Sequence, residues 1–363
     1  MNFGGTFSST QLIIHGWYEK NLRDLPMRNT RDPYRTWVAE VILQQTRMDQ
    51  GLPYLLEFLR SFPDVSTLAS STENEVLKQW QGLGYYSRAR NMHASATYVV
   101  EQLGGVMPGD YQGLMKLKGV GKYTAAAIAS WCYNEPCAAV DGNVSRVIAR
   151  LFGIREAINT PSGEKQVYAL ATGLLDRADP GRHNQAMIDF GAMLCVPVSP
   201  RCSDCPLLEK CEANRLGRED QIPFKIKNKK PAERWFYYYM IISHGETILI
   251  QRGKKDIWEG LYELPMMECG GPKTDEEIVQ KMLPLILQES APPYKRKAKC
   301  IGELSAPLRH RLSHQTIHAR FLQVKMDLLP HPLPKNWQSV PLEQLDRYAM
   351  PRLIHRYLES SNF

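Results

Sequence analysis

Four of the chain's eight cysteines lie together in the segment CVPVSPRCSDCPLLEKC, residues 195–211. No other feature of the sequence restricts the fold as much. The spacing places Cys195, Cys202, Cys205 and Cys211 on one short stretch, and three prolines between them keep that stretch from becoming a helix. The four thiols are therefore expected on one compact loop, where they could share a ligand.

The spacing favours an iron–sulfur cluster over a zinc ion. Structural zinc sites usually combine two Cys-x2–4-Cys pairs separated by a longer spacer, whereas only Cys202 and Cys205 form such a pair here. Four thiolates from one tight loop suit a [4Fe-4S] cluster, which takes one cysteine sulfur per iron. A structural zinc site is the alternative. The other cysteines are scattered and are interpreted as ordinary small buried residues.

Length, charge and hydropathy exclude several classes of protein. The 363 residues suffice for two domains with their own cores. Apolar runs stay well short of the roughly 20 residues that span a bilayer, and the N-terminal segment does not have the pattern of a signal peptide. We therefore expect a cytoplasmic protein with reduced thiols and no membrane partner. The net charge of +7 permits a nucleic-acid partner without requiring one.

The hydrophobic periodicity changes partway along the chain. Helical apolar spacing recurs from residues 9–22 to residues 182–195, and strand patterns are scarce before residue 215. Residues 215–233 are polar, charged and interrupted by proline, which is typical of a linker. Strand-like runs follow, beginning with an aromatic run at 235–239 that is interpreted as a strand buried on both faces. The pattern predicts an all-α domain followed by an α+β domain.

Three stretches of the first domain carry residues suited to chemistry. Glu40 interrupts an apolar helix in WVAEVILQQT, and partial desolvation would let it hold a proton near neutral pH. Gly119 and Gly121, in LKGVGKYTAAAI, predict a tight turn whose N–H groups could bind phosphate. Asp141 or Asn143, in AVDGNVSRVI, can cap the next helix, which favours an ionised Asp141. Each stretch also has a purely structural interpretation: a surface glutamate, a helix–turn–helix joint and a helix cap.

Taken in order, these stretches and the cysteine loop resemble the endonuclease III and MutY family of DNA base-excision glycosylases. The resemblance covers nearly the whole chain and implies three segments. They are a helix-hairpin-helix glycosylase domain at 1–214 with its iron–sulfur loop at 195–211, a linker at 215–233, and a Nudix-like 8-oxoguanine-recognition domain at 234–363. The implied fold class is multidomain, all-α followed by α+β.

The resemblance also implies roles for individual residues. Glu40 would protonate adenine at N7, and Asp141 would stabilise the sugar cation, as in two-carboxylate glycoside chemistry. Tyr123 and Asn143 match family residues that hydrogen-bond these carboxylates and the sugar. Cys195, Cys202, Cys205 and Cys211 would hold the cluster. The implied substrate- and DNA-binding residues are Arg28, Leu43, Gln45, Thr46, Tyr85, Gly119, Gly121, Ser313 and His314.

Two departures from endonuclease III favour the adenine-specific branch, the MutY type. The lyase lysine of endonuclease III is replaced by Tyr123, and the neighbouring Lys122 is turned by about 100° on a helix. Endonuclease III also resembles this chain only as far as Cys211, whereas this chain continues into a second domain. That domain lacks the acidic helix with which Nudix hydrolases hold Mg²⁺, so it should bind rather than hydrolyse. Two residues also depart from the MutY pattern: Met27 replaces a tryptophan, and Leu312 replaces the phenylalanine of a Phe-Ser-His turn.

The sequence therefore predicts a monofunctional adenine DNA glycosylase acting on double-stranded DNA with A:8-oxoguanine or A:G mispairs. We expect a monomer associated with the nucleoid. The alternatives are an endonuclease III-like pyrimidine glycosylase and lyase, a noncatalytic DNA-lesion binder, and, with least support, a Nudix hydrolase.

Overall fold

The structure is a computed structural model that describes residues 4–28, 30–46, 48–226, 231–282, 299–300, 304–329 and 332–360. The chain divides into two compact units, which are treated separately below. The first comprises residues 1–70 and 91–228, and the second comprises residues 71–90 and 229–363. The boundary after residue 228 falls inside the predicted linker, but the sequence did not indicate that residues 71–90 group with the second unit.

The first unit is helical, as its periodicity indicates. The helical residues 73–79 and 87–90 belong to the second unit. The described α-helices up to residue 215 are α1 (Gly4–Lys20), α2 (Pro33–Ile42), α3 (Met48–Ser61), α4 (Val65–Ser70), α5 (Glu73–Gln79), α6 (Ser87–Leu103), α7 (Tyr111–Leu114), α8 (Lys122–Tyr133), α9 (Gly142–Leu151), α10 (Pro161–Leu174), α11 (Pro180–Met193) and α12 (Glu212–Arg215).

Local sequence explains where several of these helices begin. Asp32 precedes α2 and its carboxylate accepts hydrogen bonds from the backbone N–H groups of residues 34 and 35. Thr160 and Asp179 cap α10 and α11 in the same way. A proline follows each of these three caps, where its fixed φ suits the first helical turn. The main core of the unit lies between α1, α9, α10 and α11, around side chains such as Ile148, Leu174 and Phe190.

Two of these helices approach each other closely at a glycine. A Cβ atom on Gly191 of α11 would lie 2.8 Å from the Cβ and carbonyl oxygen of Asn143, in the first turn of α9. Only glycine therefore permits this separation of the two backbones. The contact fixes where α9 begins, which is the end of the helix that bears Asp141.

The second unit contains one mixed sheet. Its described strands are β1 (Ala232–Ser243), β2 (Glu246–Gln251), β3 (Tyr262–Glu263), β4 (Met266–Cys269), β5 (Lys299–Cys300), β6 (Leu308–Arg311), β7 (Gln315–Lys325) and β8 (Trp337–Pro341). β1 and β7 pair in parallel along their length, and the other pairings are antiparallel. The helix α13 (Arg352–Ser360) follows a 3-10 turn at Leu342–Arg347.

The aromatic run at the start of the second unit is a central strand, as predicted. Phe236, Tyr237, Tyr238 and Tyr239 are all buried in β1. β7 pairs with β1 along its whole length and β4 pairs with its first half, so β1 lies inside the sheet. Successive side chains of a strand point to opposite faces, so four consecutive buried residues show that both faces of β1 are covered. The predicted helix at 274–289 is described only as a π-helical turn at Glu277–Met282, and its remainder lies outside the described residues.

Two further sequence expectations concern the linker and the membrane. Residues 215–228 of the predicted linker belong to the first unit, and Ile222 among them is buried in its core. Residues 227–230 lie outside the described residues. Within the part of the chain that the structure describes, no helix combines the length and apolarity needed to cross a bilayer.

The close contact at Gly191 gives a test of the fold. Gly191→Ala should lower the free energy of unfolding by about 1–3 kcal/mol, because the added methyl group forces the two helix backbones apart. Gly16→Ala is the matched control, since a Cβ there meets nothing within 4 Å inside α1. Alanine should be neutral or stabilising by up to ~1 kcal/mol at that position. Denaturant unfolding of both variants measures the difference, and equal effects would contradict the contact.

Candidate active site

Most of the residues singled out in the first unit line one cavity of about 730 Å³. Its size is ordinary for a pocket that takes a small ligand or a nucleotide. The predicted site residues on its wall are Arg28, Glu40, Leu43, Gln45, Gly119, Gly121, Tyr123, Asp141 and Asn143. Helices α2, α8 and α9 and the turn at Pro26–Arg28 thus bring together side chains that are far apart in the sequence.

Glu40 lies on the last full turn of α2, whose other side chains are mostly apolar and buried. The pKa of Glu40 is raised to about 7, mainly by burial. The nearby Asp141 also raises it, whereas a hydrogen bond with Tyr123 and the charge of Arg28 lower it. The predicted effect of desolvation is therefore present in the structure. Near neutral pH this carboxyl group can hold a proton and still release it.

Asp141 is the N-cap residue of α9. Its carboxylate accepts hydrogen bonds from the Val144 N–H (2.8 Å) and from the Asn143 side-chain amide (2.7 Å). The sequence predicted that the helix terminus would favour the charged form. However, burial outweighs these bonds and raises the pKa of Asp141 above its ordinary value. The hydrogen bonds from Val144 and Asn143 and the charge of Arg146 oppose this rise in the pKa.

Arg146, which the sequence analysis did not single out, holds this end of α9 in place. Its guanidinium donates to the Asn143 side-chain oxygen (2.9 Å), which turns the amide NH2 group of Asn143 toward Asp141. It also donates to the carbonyl of Gly191 (2.7 Å) on α11 and to that of Cys195 (2.7 Å). One buried cation therefore connects the Asp141 hydrogen-bond network to the first residue of the cysteine loop.

A smaller pocket lies behind Glu40. Its wall includes Met27, Glu40 and residues of α8 and α11, among them Ser130, Asn184 and Gln185. The Tyr18 hydroxyl donates to the Gln185 side-chain oxygen at 3.3 Å, which leaves the amide NH2 group of Gln185 available to the pocket. The sequence analysis did not single out these residues of α11. Their signal in the sequence is the group of polar side chains among apolar ones in HNQAMIDF, residues 183–190.

The predicted phosphate-binding turn has the expected geometry. Gly119 has a φ of 82°, and Gly121 is the N-cap residue of α8 with an extended backbone and no side-chain cap. Both glycines are exposed, so N–H groups at this helix start can meet a phosphate. Lys122 also lines the main cavity, although the sequence predicted that its side chain would be turned away. Thr46 lies next to the cavity residue Gln45, which has a φ of 56°.

The four clustered cysteines surround one small cavity at the end of the first unit. They are free thiols, and Cys195, Cys202, Cys205 and Cys211 all line this cavity. Arg150 of α9 donates to the Cys195 sulfur at 3.3 Å, which places a positive charge beside the loop. Among the described residues, no group of three His, Cys, Asp or Glu side chains is set to hold a single metal ion.

The remaining predicted residues lie in a separate cleft within the second unit. Tyr85, Ser313 and His314 line this cleft of about 390 Å³ together with Trp258. The Leu312 N–H donates to the Gln315 carbonyl (2.8 Å), so the Leu-Ser-His turn closes despite the loss of an aromatic residue. Ser313 and His314 are both exposed at this turn.

Arg88 shapes the part of the cleft that carries Tyr85. Its guanidinium lies over the rings of Trp80 (5.2 Å) and Tyr85 (5.7 Å) and donates to the Gly84 carbonyl (3.3 Å). Tyr85 has a φ of 48° and keeps 46% of its surface exposed. An aromatic side chain is therefore held at the surface by a cation and by a backbone conformation that is uncommon outside glycine.

Comparisons with known proteins agree with this architecture. A family described as "HhH-GPD superfamily base excision DNA repair protein" matches residues 38–172, and a family described as "NUDIX domain" matches residues 237–360. The chain is similar to the solved structure of a thermostable thymine-DNA glycosylase, with a TM-score of 0.56 and 27% identity. That alignment covers 60% of this chain and 100% of the other.

Curated relatives extend the similarity over both units. The adenine DNA glycosylase of Buchnera aphidicola subsp. Baizongia pistaciae is 31% identical over 85% of this chain and 83% of its own. That of Buchnera aphidicola subsp. Acyrthosiphon pisum is 28% identical over 97% of both chains. The chain therefore belongs to the adenine DNA glycosylase family, with a helical base-excision domain followed by a Nudix-like domain.

Proposed function

We propose that the protein removes adenine opposite 8-oxoguanine or guanine in duplex DNA by hydrolysing the N-glycosidic bond. One observation carries this proposal: a glutamic acid that holds a proton near neutral pH lies in the same cavity as a hydrogen-bonded aspartate. Two carboxyl groups in different environments are the usual means of dividing acid and electrostatic roles. The family and the shape of the cavity agree with a flipped nucleotide as the substrate.

Glu40 is the proposed general acid. It gives its proton to N7 of the extruded adenine, which weakens the bond between the base and the sugar. Tyr123 hydrogen-bonds the Glu40 carboxyl group and restrains its orientation. The adenine leaves toward the pocket behind Glu40, where polar groups on α8 and α11 can hydrogen-bond a purine.

Asp141 is the proposed partner of the sugar. As the base departs, positive charge develops on the deoxyribose, and the carboxylate of Asp141 stabilises it. Asn143 keeps one carboxylate oxygen fixed, and the Val144 N–H keeps the other. Water then completes the hydrolysis at the sugar carbon.

Other elements of both units are proposed to bind the DNA. The Gly119–Gly121 turn would take a backbone phosphate, and Leu43, Gln45 and Thr46 lie at or beside the mouth of the cavity. In the second unit, the cleft beside Tyr85 would take the 8-oxoguanine, with the Ser313 hydroxyl as a hydrogen-bonding group. Such contacts help to offset the few kcal/mol that unstacking a base costs. We expect the protein to act as a monomer at the nucleoid.

The cysteine loop fits a [4Fe-4S] cluster. The loop offers four free thiols around one cavity, with the Arg150 guanidinium beside Cys195 to balance negative charge. Cys195, Cys202, Cys205 and Cys211 would each hold one iron, and the bound cluster would supply four strong covalent cross-links to the loop. Arg146 and Arg150 also donate to backbone carbonyls of the loop, so α9 and the cluster would hold it together.

Replacing the proposed acid tests the reaction directly. Glu40→Gln should slow adenine release by about 10²- to 10⁴-fold, because the amide cannot protonate the base. In the unsubstituted protein the rate should fall as the pH rises through about 7, the pKa of Glu40. It should also fall at low pH, once Asp141 is protonated. Single-turnover release from a duplex with one A:8-oxoguanine pair measures both effects.

Glu57→Gln is the matched control for this experiment. Glu57 is an exposed residue of α3 paired with Arg60, and its loss should leave the rate unchanged. Full activity in Glu40→Gln would refute the role of Glu40 as the acid, whereas a lack of adenine release by the unsubstituted protein would support a noncatalytic lesion binder. Borohydride trapping addresses the lyase alternative: a DNA adduct that disappears in Lys122→Met would show that Lys122 forms a Schiff base.

The metal content of the protein tests the proposed cluster. Purified protein should contain about four iron and four inorganic sulfide per chain, with the brown colour of an iron–sulfur protein. Cys202→Ser should lower both contents, whereas Cys132→Ser, on α8 away from the loop, should not. Stoichiometric zinc without iron would favour the alternative site.

Recognition of the oxidised base should depend on Ser313. Ser313→Ala should lower the preference for A:8-oxoguanine over A:G by about fivefold, since one neutral hydrogen bond contributes ~1 kcal/mol. The ratio of the two kcat/KM values measures this preference. Ser339→Ala removes a hydroxyl that bonds Glu246 on the same sheet and is the matched control. An equal loss for both mispairs would argue against base recognition by Ser313.

A further inference from the structure

Asp189 is a buried carboxylate in the middle of α11. Its side chain is 0% exposed, yet it lies on a helix whose other buried residues are mostly apolar or amide-bearing. A charge in such a position is costly unless it is paired. Asp189 is paired twice, with Arg23 and with Arg28, both of which precede α2.

The two arginines are held differently. Arg28 forms a bidentate pair with Asp189, with N···O distances of 2.6 and 2.8 Å, and its side chain is 11% exposed. Arg23 contacts the same carboxylate through Nη2, while its Nε meets no acceptor among the described residues. One negative charge thus anchors two positive charges, and the cluster carries a net charge of +1.

The cluster borders the proposed reaction site. Arg23 and Arg28 line the same cavity as Glu40, and the charge of Arg28 acts on the Glu40 carboxyl group. The other titratable groups that face Glu40 are Tyr123 on α8 and Asp141 at the start of α9. Arg28 is therefore the one cation among the groups that shift the Glu40 equilibrium in the described structure.

Stability alone is a weak reason for such an arrangement. A buried ion pair often contributes less to stability than well-packed apolar side chains of the same volume. A bidentate pair, however, fixes the direction of a guanidinium more firmly than packing does. The geometry therefore suggests that Asp189 controls where the Arg28 charge lies.

On the basis of the function proposed above, we propose that Asp189 is a positioning residue for base release: it holds Arg28 on the cavity wall and neutralises enough of its charge for Glu40 to keep its proton. Asp189 does not touch the substrate in this scheme. It acts through Arg28, and Arg23 places a second positive charge beside the Asp189 carboxylate.

The test is the pH dependence of Asp189→Asn. With its partner gone, Arg28 presents an uncompensated positive charge to the cavity, which favours the ionised form of Glu40. The alkaline limb of the single-turnover rate should move to lower pH by roughly one unit, so that release at pH 8 falls about tenfold. Under single-turnover conditions, misfolded protein lowers the amplitude and leaves the position of the limb unchanged.

Two further variants show whether Asp189 acts through Arg28. Arg28→Met should move the alkaline limb of the pH–rate profile the opposite way, to higher pH, because it removes the cation that opposes the protonation of Glu40. The double variant Asp189→Asn with Arg28→Met should match Arg28→Met, and it contains no unpaired Arg28 that would hinder folding. An additional shift in the double variant, or an unshifted limb in Asp189→Asn, would overturn the proposal.

Glu19→Gln is the matched control. Glu19 joins α1 to α11 through an ion pair with Arg182, but it lines neither of the two cavities that Glu40 borders. The alkaline limb of the pH–rate profile of Glu19→Gln should coincide with that of the unsubstituted protein. A shift of the same size in Glu19→Gln would mean that any loss of an ion pair on α11 moves the limb.

A readout independent of adenine release separates this inference from the proposed function. The Glu40 carboxyl group can be titrated by NMR with carbon-13-labelled glutamate, with Glu40→Gln used to assign its signal. Asp189→Asn should lower the midpoint by roughly one pH unit. A protein that releases no adenine would refute the proposed function, while this titration would still test the role of Asp189.

Discussion

The first turn of α9 is the part of the structure on which the proposed site most depends. Asp141 caps this helix, so the residue that would face the sugar is also the residue that fixes where the helix begins. Arg146 holds the same helix start in place by donating hydrogen bonds to the Asn143 side chain and to the carbonyl of Gly191. The same hydrogen bonds that stabilise the helix start therefore also orient the carboxylate.

The two carboxyl groups illustrate how environment separates chemically similar residues. Both are buried enough for their pKa values to rise. Asp141 accepts bonds from a backbone N–H and an amide, which favour its charged form, whereas Glu40 has one phenol and an apolar helix around it. The two carboxyl groups therefore differ in the hydrogen-bond donors around them, which supports separate roles as acid and anion.

Much of the helical fold and several site residues could be predicted from the sequence because their signals are local. Helical periodicity, the caps at the helix starts, the glycine turn and the cysteine spacing each act over a few residues. The outlier position of Glu40 on an apolar helix was also visible. The burial that raises the pKa of Asp141 was not visible, because the sequence shows a helix cap but does not show how deeply the cap is buried.

The residues that the sequence did not reveal have partners far along the chain. Arg146 bonds groups more than 40 residues away, and Asp189 meets Arg28 across 161 positions. Neither contact leaves a periodic pattern, since each is one polar residue on a buried face. The grouping of residues 71–90 with the second unit is non-local in the same way: Asn74 and Arg90 bond residues 347 and 259.

These long-range partners also explain why buried charge is retained in the first unit. Arg146, Arg150 and Asp189 are nearly inaccessible to solvent, and each joins segments that apolar packing alone would leave free to slide. Charge-assisted hydrogen bonds are strong and directional, so they fix the orientation of the groups that they join. Proton transfer to a base requires such a fixed geometry. The buried charges therefore lie where the proposed chemistry needs fixed distances, at the start of α9 and on the wall beside Glu40.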